Sequence, residues 1–271
     1  MRRVVSVLGV LALGLAADHA AAGLYIEEGV AASDAAIVGW ATGVSSLVRG
    51  PKDIANPAGG LASFGAAADA LGTATGSSLV SLGDGGSITV TFDAPITNGP
   101  GADFAVFENG FAFGDLVFAE LGYVEVSSNG SDFARFPSAS LTQTATQVGS
   151  FGGIDPTDIY NLAGKHAGGL GTPFDLSDLL SLASVSGGVV DVTSIAHVRI
   201  VDVVGRITPT AGYVPSVDSL GNVINDPYAT NFASSGFDLD AVGVINSVVP
   251  DPTGLAVVML AGLGLRRRVA R

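Results

Sequence analysis

The sequence predicts an all-β protein, a jelly-roll or Greek-key β-sandwich with long loops, carrying a short apolar helix at each end. Three observations predict it. Short runs alternate polar and apolar residues or are rich in β-branched ones, the mark of half-buried strands. Apolar content is high, charge is low and 38 glycines are spread along 271 residues, a composition of many turns rather than long amphipathic helices. The strands are unevenly spaced and no internal repeat is visible, which favours a sandwich over a propeller, a solenoid or a regular up-and-down barrel.

Taken in order, residues 62–71 predict a short helix. Residues 87–92 place Ile88, Val90 and Phe92 on one face of a strand. Residues 123–128 form another, with Val124 and Val126 inward, and Asn129-Gly130 is a dipeptide suited to a tight hairpin turn returning through residues 133–136. Residues 175–182 open with a capping aspartate and predict a second short helix. Residues 197–204 and 237–245 are two β-branched-rich strands, the first closed by Gly205 and the second opened by Gly236. Between them, residues 208–235 hold Pro209, Pro215, Pro227, Gly212 and Gly221 and read as a long irregular loop, the kind that carries a ligand or wraps an edge.

The two ends differ from the body. Met1-Arg2-Arg3, an apolar run from Val4 to Ala17 and Ala20-Ala21-Ala22 before Gly23 have the form of a secretory signal peptide, with cleavage between Ala22 and Gly23 and with Ala20 and Ala22 as its small residues. Residues 249–271 contain Pro250-Asp251-Pro252, an uncharged stretch from Gly254 to Leu265 and then Arg266-Arg267-Arg268. That stretch is shorter than the ~20 residues that span a bilayer, so it suits transient contact, with the arginines held on the cytoplasmic side. The chain thus divides into a signal at 1–22, a sandwich domain at 23–248 and a tail at 249–271.

The tail resembles the PEP-CTERM sorting signal, in which a Pro-Glu-Pro motif, a short hydrophobic segment and a basic cluster end an exported protein. Here Asp251 stands at the glutamate position and keeps a carboxylate of shorter reach. The resemblance implies processing by an exosortase-type enzyme at the surface of a Gram-negative-type bacterium. Body segments such as Gly101-Ala102-Asp103-Phe104-Ala105-Val106-Phe107-Glu108-Asn109-Gly110 and Ser235-Gly236-Phe237-Asp238-Leu239-Asp240-Ala241-Val242 resemble a group of uncharacterised bacterial cell-surface proteins. The strand and turn at residues 124–130 are similar to those of discoidin-type galactose-binding sandwiches, which implies a jelly roll.

Charge narrows the partners. Setting aside Arg2, Arg3, Arg266, Arg267, Arg268, Arg271, Asp18 and Asp251 leaves six basic and 23 acidic residues, a net charge of −17 on the body. Such a body repels nucleic-acid phosphates and anionic headgroups, and its natural counterparts are cations. Glu108 shares strand parity with Phe104 and Val106, Asp202 with Val198 and Ile200, and Asp240 with Val242 and Val244. Carboxylates on core faces need a cation or hydrogen-bond donors. With Asp103, Asn109 and Asp238 nearby in sequence, these residues predict a calcium site, set against the alternative that each carboxylate caps a loop through backbone amides. Asp218 and its neighbours make a second oxygen-rich loop without EF-hand spacing.

No enzyme signature stands out: the sequence has no cysteine, nucleophile elbow, Gly-Lys-Ser/Thr phosphate loop or HExxH. The function expected is therefore a non-catalytic surface or matrix protein, calcium-stabilised and binding extracellular polysaccharide. Tyr213 and Tyr228 in the long loop, with His166, are the candidate ligand contacts. The alternative is a secreted glycan-active enzyme using paired carboxylates.

Overall fold

The computed structural model describes residues 24–248, and within them the chain is an antiparallel β-sandwich. The expected signal-cleavage residues Ala20, Ala22 and Gly23, the expected sorting motif Pro250, Asp251, Pro252, Arg266, Arg267 and Arg268, and the two stretches expected to form terminal apolar helices lie outside the described residues.

The strands in chain order are β1 (Val30–Ala31), β2 (Gly39–Trp40), β3 (Gly43–Val48), β4 (Val80–Ser81), β5 (Ser87–Ile96), β6 (Phe104–Glu108), β7 (Phe111–Phe113) and β8 (Leu116–Phe118). They continue as β9 (Gly122–Ser127), β10 (Ala134–Arg135), β11 (Ala139–Ser140), β12 (Ile159–Tyr160), β13 (Leu162–Ala163), β14 (Leu170–Phe174), β15 (Ile195–Asp202) and β16 (Asp238–Val244). One sheet runs β1-β14-β6-β16-β2, with β4 also on β16; the other runs β10-β9-β15-β5-β3, with β13 on β9. The long strands β5, β6, β9, β14, β15 and β16 alternate between the two sheets, the crossing pattern a jelly roll requires.

Alternation in the second sheet follows the sequence. Val90, Val126, Val198 and Ile200 turn inward and pack against Phe104 and Val106 of the first sheet. On the outer face Glu125 is clamped by Arg135 at 2.8 Å and by Arg199, and Arg199 lies over the ring of Phe133. The first sheet is buried on both faces. Every residue of β6 and β16 is buried, because Val30, Ile37 and Trp40 from the N-terminal segment cover Phe107 and Ala241 from outside. This is why those two strands read as nearly continuous apolar runs. Full burial of a side chain the size of Phe107 contributes ~2–3 kcal/mol.

The expected helices shrink to 3-10 turns at Ala67–Ala70 and Leu176–Leu179, the latter capped by Asp175, whose Oδ1 accepts from Ser177 N. Each is a single turn, a length at which helix nucleation is not repaid by propagation. Asn129-Gly130 does turn the chain, and Gly130 has φ 77°, but the strands flanking it end at Ser127 and resume at Ala134, so the connection is longer than a two-residue hairpin.

Antiparallel pairing gives the sandwich two poles. The tail pole holds the C-terminal end of β5, the start of β6 and the end of β16; there Val248 N bonds Pro95 O as the described chain ends. The loop pole holds the start of β5, the end of β6, the end of β15 and the start of β16.

Candidate functional site

Six carboxylates converge at the loop pole: Asp84, Glu108, Glu120, Asp202, Asp226 and Asp238, none more than 8% exposed. Strand parity delivers two of them. Glu108 pairs with Leu239 across β6 and β16 and so follows Phe104 and Val106 inward, and Asp202 follows Val198 and Ile200. Asp84 sits in the β4–β5 turn, Glu120 just after β8, Asp226 in the long segment between β15 and β16, and Asp238 opens β16 opposite Ser81.

Their hydrogen bonding separates them into two groups. Asp202 is saturated by backbone: Oδ2 accepts from Gly85 N at 2.8 Å and Oδ1 from Phe237 N at 2.6 Å, tying the β4–β5 turn to β16. Asp226 Oδ2 accepts from Leu121 N at 2.9 Å, and its other oxygen lies against Gly205, where a Cβ would stand 1.5 Å from it. Only glycine fits there. Asp84 accepts from Ile54 N at 2.6 Å, and Glu120 from Gly236 N at 3.1 Å. By contrast Glu108 Oε2 and Asp238 Oδ1 are buried with no hydrogen-bond partner, as are the Ser81 and Ser235 hydroxyls.

Burial is the main force on these groups. Desolvation pushes Asp84 and Asp238 up to about 7, with the Asp53 charge adding to the rise at Asp84. It raises Glu108 well above the usual carboxylate range, helped by the Asp238 charge and only partly offset by the Gly110 and Asn109 amides. Glu120 is raised by burial, then by Asp238, Glu108 and Asp202. Asp202 and Asp226 rise for the same first reason and share Asp84 as an unfavourable neighbour. Arg49 opposes the rise at Asp238, but its guanidinium is already engaged by the carbonyls of Phe64, Ser81 and Gly65. Four of the other five cations of the body have partners elsewhere: Arg135 and Arg199 on Glu125, Lys165 on Glu27, and Arg206 on Thr208 O.

The residues expected to share calcium are not all brought together. Asp103 lies at the tail pole, five strand positions or ~16 Å from Glu108. There it accepts from Gly99 N, Leu176 N and Asn246 Nδ2, at 2.7, 2.8 and 2.8 Å. Asp240 does not share the face of Val242: a bulge between Leu239 and Ala241 shifts the parity, and the carboxylate turns outward to accept from Thr75 N and Gly76 N. Asn109 is exposed and, with Glu108, Asp240 and Phe107, lines a surface cleft of ≈ 390 Å³. Glu108 and Asp238 are together, and Asp202 is beside them with its oxygens occupied. Asp218 is a loop cap: its oxygens accept from Leu220 N, Asn222 N, Asn222 Nδ2 and Ser140 N.

The expected ligand contacts are turned to internal work. Tyr213 Oη bonds the carbonyls of Val204 and Arg206, and Tyr228 Oη donates to Asp53 while Arg206 covers its ring. His166 is nearly buried beneath Gly29, 3.9 Å from Glu27. Each packs a loop on the sandwich. The exposed aromatic surface is instead at the β7–β8 hairpin: Phe111, Phe113, Phe151 and Phe232 are 42–65% exposed, and Phe118 joins them, stacked on Phe111 at 4.9 Å and 6.1 Å from Phe151.

Asp84 and Glu120 were not visible as site residues from sequence, and Asp226 was visible only as part of the oxygen-rich loop that begins at Asp218. Glu120 offered a signal, an acid inside the run Val117-Phe118-Ala119-Glu120-Leu121; Asp84 and Asp226 resemble ordinary turn residues. Among the described residues, no three Asp, Glu or His side chains stand at metal-ligand spacing. A cation held at this pole would have to draw on fewer than three of these side chains, with carbonyl and hydroxyl oxygens and water making up the shell. Compared with protein-family models and with curated proteins, the chain matches none.

Proposed function

We propose that this is an exported, non-catalytic cell-surface or matrix protein whose loop pole is stabilised by calcium and presents an aromatic surface to extracellular polysaccharide. The observation that carries the reading is the charge imbalance at that pole. Six buried carboxylates gather there, Arg49 acts on Asp238 among them, and Glu108 Oε2 and Asp238 Oδ1 meet no partner in hydrogen-bond geometry. Ionised carboxylates in such a place cost several kcal/mol each unless a cation neutralises them. Calcium, bound by six to eight oxygens in irregular arrangements, suits a site without nitrogen or sulfur donors.

Export supplies the context. The signal at 1–22 delivers the chain, and the tail at 249–271 makes transient membrane contact before an exosortase-type enzyme cuts near Asp251. The body runs into that tail from the pole opposite the acids, so the loop pole faces away from the membrane while the tail is held. Aromatic rings stack on sugar faces, and Phe111, Phe113, Phe151 and Phe232 offer the exposed ones.

The test is thermal unfolding of the mature body with calcium and with a chelator at pH 7.5. Binding to the native state alone raises the midpoint. An unchanged midpoint overturns the calcium reading, and intact termini on the protein recovered from its native host overturn the export reading.

One observation favours the alternative, a secreted glycan-active enzyme: Glu108 and Asp240 line the same cleft, and burial raises Glu108 above the usual carboxylate range, the direction a general acid requires. Release of reducing sugar from a polysaccharide panel by the wild type, lost in both E108Q and D240N, would establish it.

A further inference from the structure

The unpartnered oxygens at the loop pole are not scattered. Glu108, the last residue of β6, opens the connection into the β7–β8 hairpin, and Phe118 closes that hairpin. A Cβ built on Gly110 would stand 2.6 Å from Glu108 Oε2 and 2.6 Å from the Phe118 carbonyl, so both oxygens border one small space at the hairpin base. Asp238 precedes Leu239, the residue that pairs with Glu108 across β6 and β16, so it opens β16 at the level of the hairpin base, and its charge disfavours ionisation of both Glu108 and Glu120. Its Oδ1 is unpartnered. Across β4–β16, Asp238 pairs with Ser81, whose hydroxyl is fully buried and also unpartnered. The Ser81 hydroxyl faces the Asp238 carboxylate and favours its ionised form without reaching it in hydrogen-bond geometry, so the two buried oxygens share one unfilled need for a ligand.

The hairpin is held through β8, whose buried Val117 packs with Leu121, Ile154 and Ile159 and exchanges backbone hydrogen bonds with Ile154, while β7 lies on the open side. All three residues of β7 are exposed, and among the described residues β7 and β8 pair only with each other as a separate two-stranded sheet, apart from the isolated bridge of Val117 to Ile154. A two-stranded ribbon is marginal by itself. Its stems carry Glu108 on one side and Glu120 on the other, and two ionised carboxylates there push apart unless a cation lies between them and Asp238.

We propose that a calcium ion binds at the base of the β7–β8 hairpin, held by Glu108 Oε2 and Asp238 Oδ1 with the Ser81 hydroxyl, the Phe118 carbonyl and water. By bridging the hairpin to β16, the ion fixes the exposed phenylalanines in place. The oxygens come from separate segments, which suits the larger, more tolerant calcium ion better than magnesium. This rests on the calcium reading above and goes further by naming the ligands and the element they control.

Hydrogen exchange of the mature body, followed at the amides of residues 111–118 with 2–5 mM calcium chloride and with EDTA, tests it. Roughly tenfold or greater slowing by calcium is expected across the hairpin, with little change at the tail-pole ends of β5 and β16. E108Q and D238N lose most of the calcium-induced rise in midpoint, whereas D240N keeps it. If either of the first two variants does not fold, the wild-type exchange decides. A wild type whose midpoint rises with calcium while its hairpin exchange stays constant, or an E108Q protein that keeps the full rise, overturns this site and leaves the broader calcium reading standing. No midpoint shift in the wild type overturns both.

Discussion

Strand β6 has a carboxylate at each end, and the two ends have opposite fates. Asp103 precedes the strand at the tail pole and accepts three hydrogen bonds, from the 99 turn, from the start of the 176–179 turn and from Asn246 after β16. Glu108 closes the same strand at the loop pole, as deeply buried, yet its Oε2 has none. Burial raises both, but at Asp103 the three donors pull back toward the ionised form. Position on a strand therefore does not decide what a buried acid does. The donors that distant segments bring to it do; Glu108 receives none from them, only the amides of Asn109 and Gly110 next along the chain, and is left to protons or metal ions.

Acidity gives the largest test of this contrast. Asp84 and Asp238 are held near 7 in the fold but ionise near 4 in the unfolded chain. Between those values the native state binds more protons than the unfolded one, so stability falls as pH rises. The advantage is complete below about 4 and gone above about 7. Each group accounts for at most on the order of 4 kcal/mol. Urea unfolding in chelator should show stability declining from pH 5 to 8. Calcium should restore much of the loss at pH 8 and little at pH 5, where protons occupy the oxygens. A stability that instead climbs across this range would mean that the nest is ionised and satisfied without a metal.

The tail pole should respond to mutation and not to metal. D103A strands the buried amide of Leu176 along with the other donors, at a cost of about 3–5 kcal/mol. For a domain of this size that lowers the melting midpoint by roughly 10 °C. The drop, followed by circular dichroism, should be the same in calcium and in EDTA. A drop that calcium changed would couple the poles and break the comparison.

E108Q should act in the other direction and more weakly. Removing an unpaired buried charge in chelator at pH 8 relieves like-charge repulsion from Asp238 and Glu120, and the midpoint should rise by a few degrees, about 1–2 kcal/mol. In calcium the order reverses, with the wild type the more stable. A variant less stable than the wild type in both conditions would make Glu108 a simple packing residue.

The sandwich was legible because its evidence is local: period-two alternation in β5 and β9, a glycine at 130 with positive φ, and inward parity for Glu108 and Asp202. Helix lengths were not, since nothing in residues 62–71 or 175–182 specifies how much tertiary support they receive. Asp240 was misplaced by one bulge, an inserted residue that a sequence pattern does not display. The site was half legible for a deeper reason. A core-facing carboxylate is visible from parity, but whether an amide meets it depends on contacts across separations such as 73 residues for Leu176 to Asp103 and 105 for Leu121 to Asp226. Tyr213 and Tyr228 pointed to a ligand for the same reason, because their internal partners come from elsewhere in the fold.

The aromatic hairpin should give the smallest stability effect and the sharpest separation of binding from folding. Phe151 and Phe232 stand 5.8 Å apart, are 65% and 48% exposed, and leave their outer faces in water. Replacing both by serine removes little buried area, so the midpoint should move by no more than about 1 kcal/mol equivalent. Retention on an insoluble polysaccharide should nevertheless fall severalfold if those rings stack on sugars. Calcium should increase retention of the wild type and not of the double variant. If the metal acts at the base of the hairpin and the sugar on the aromatic surface, only a protein with both can show the coupling. Equal retention of wild type and variant would remove the phenylalanine surface from the binding account while leaving the ion at its base untouched.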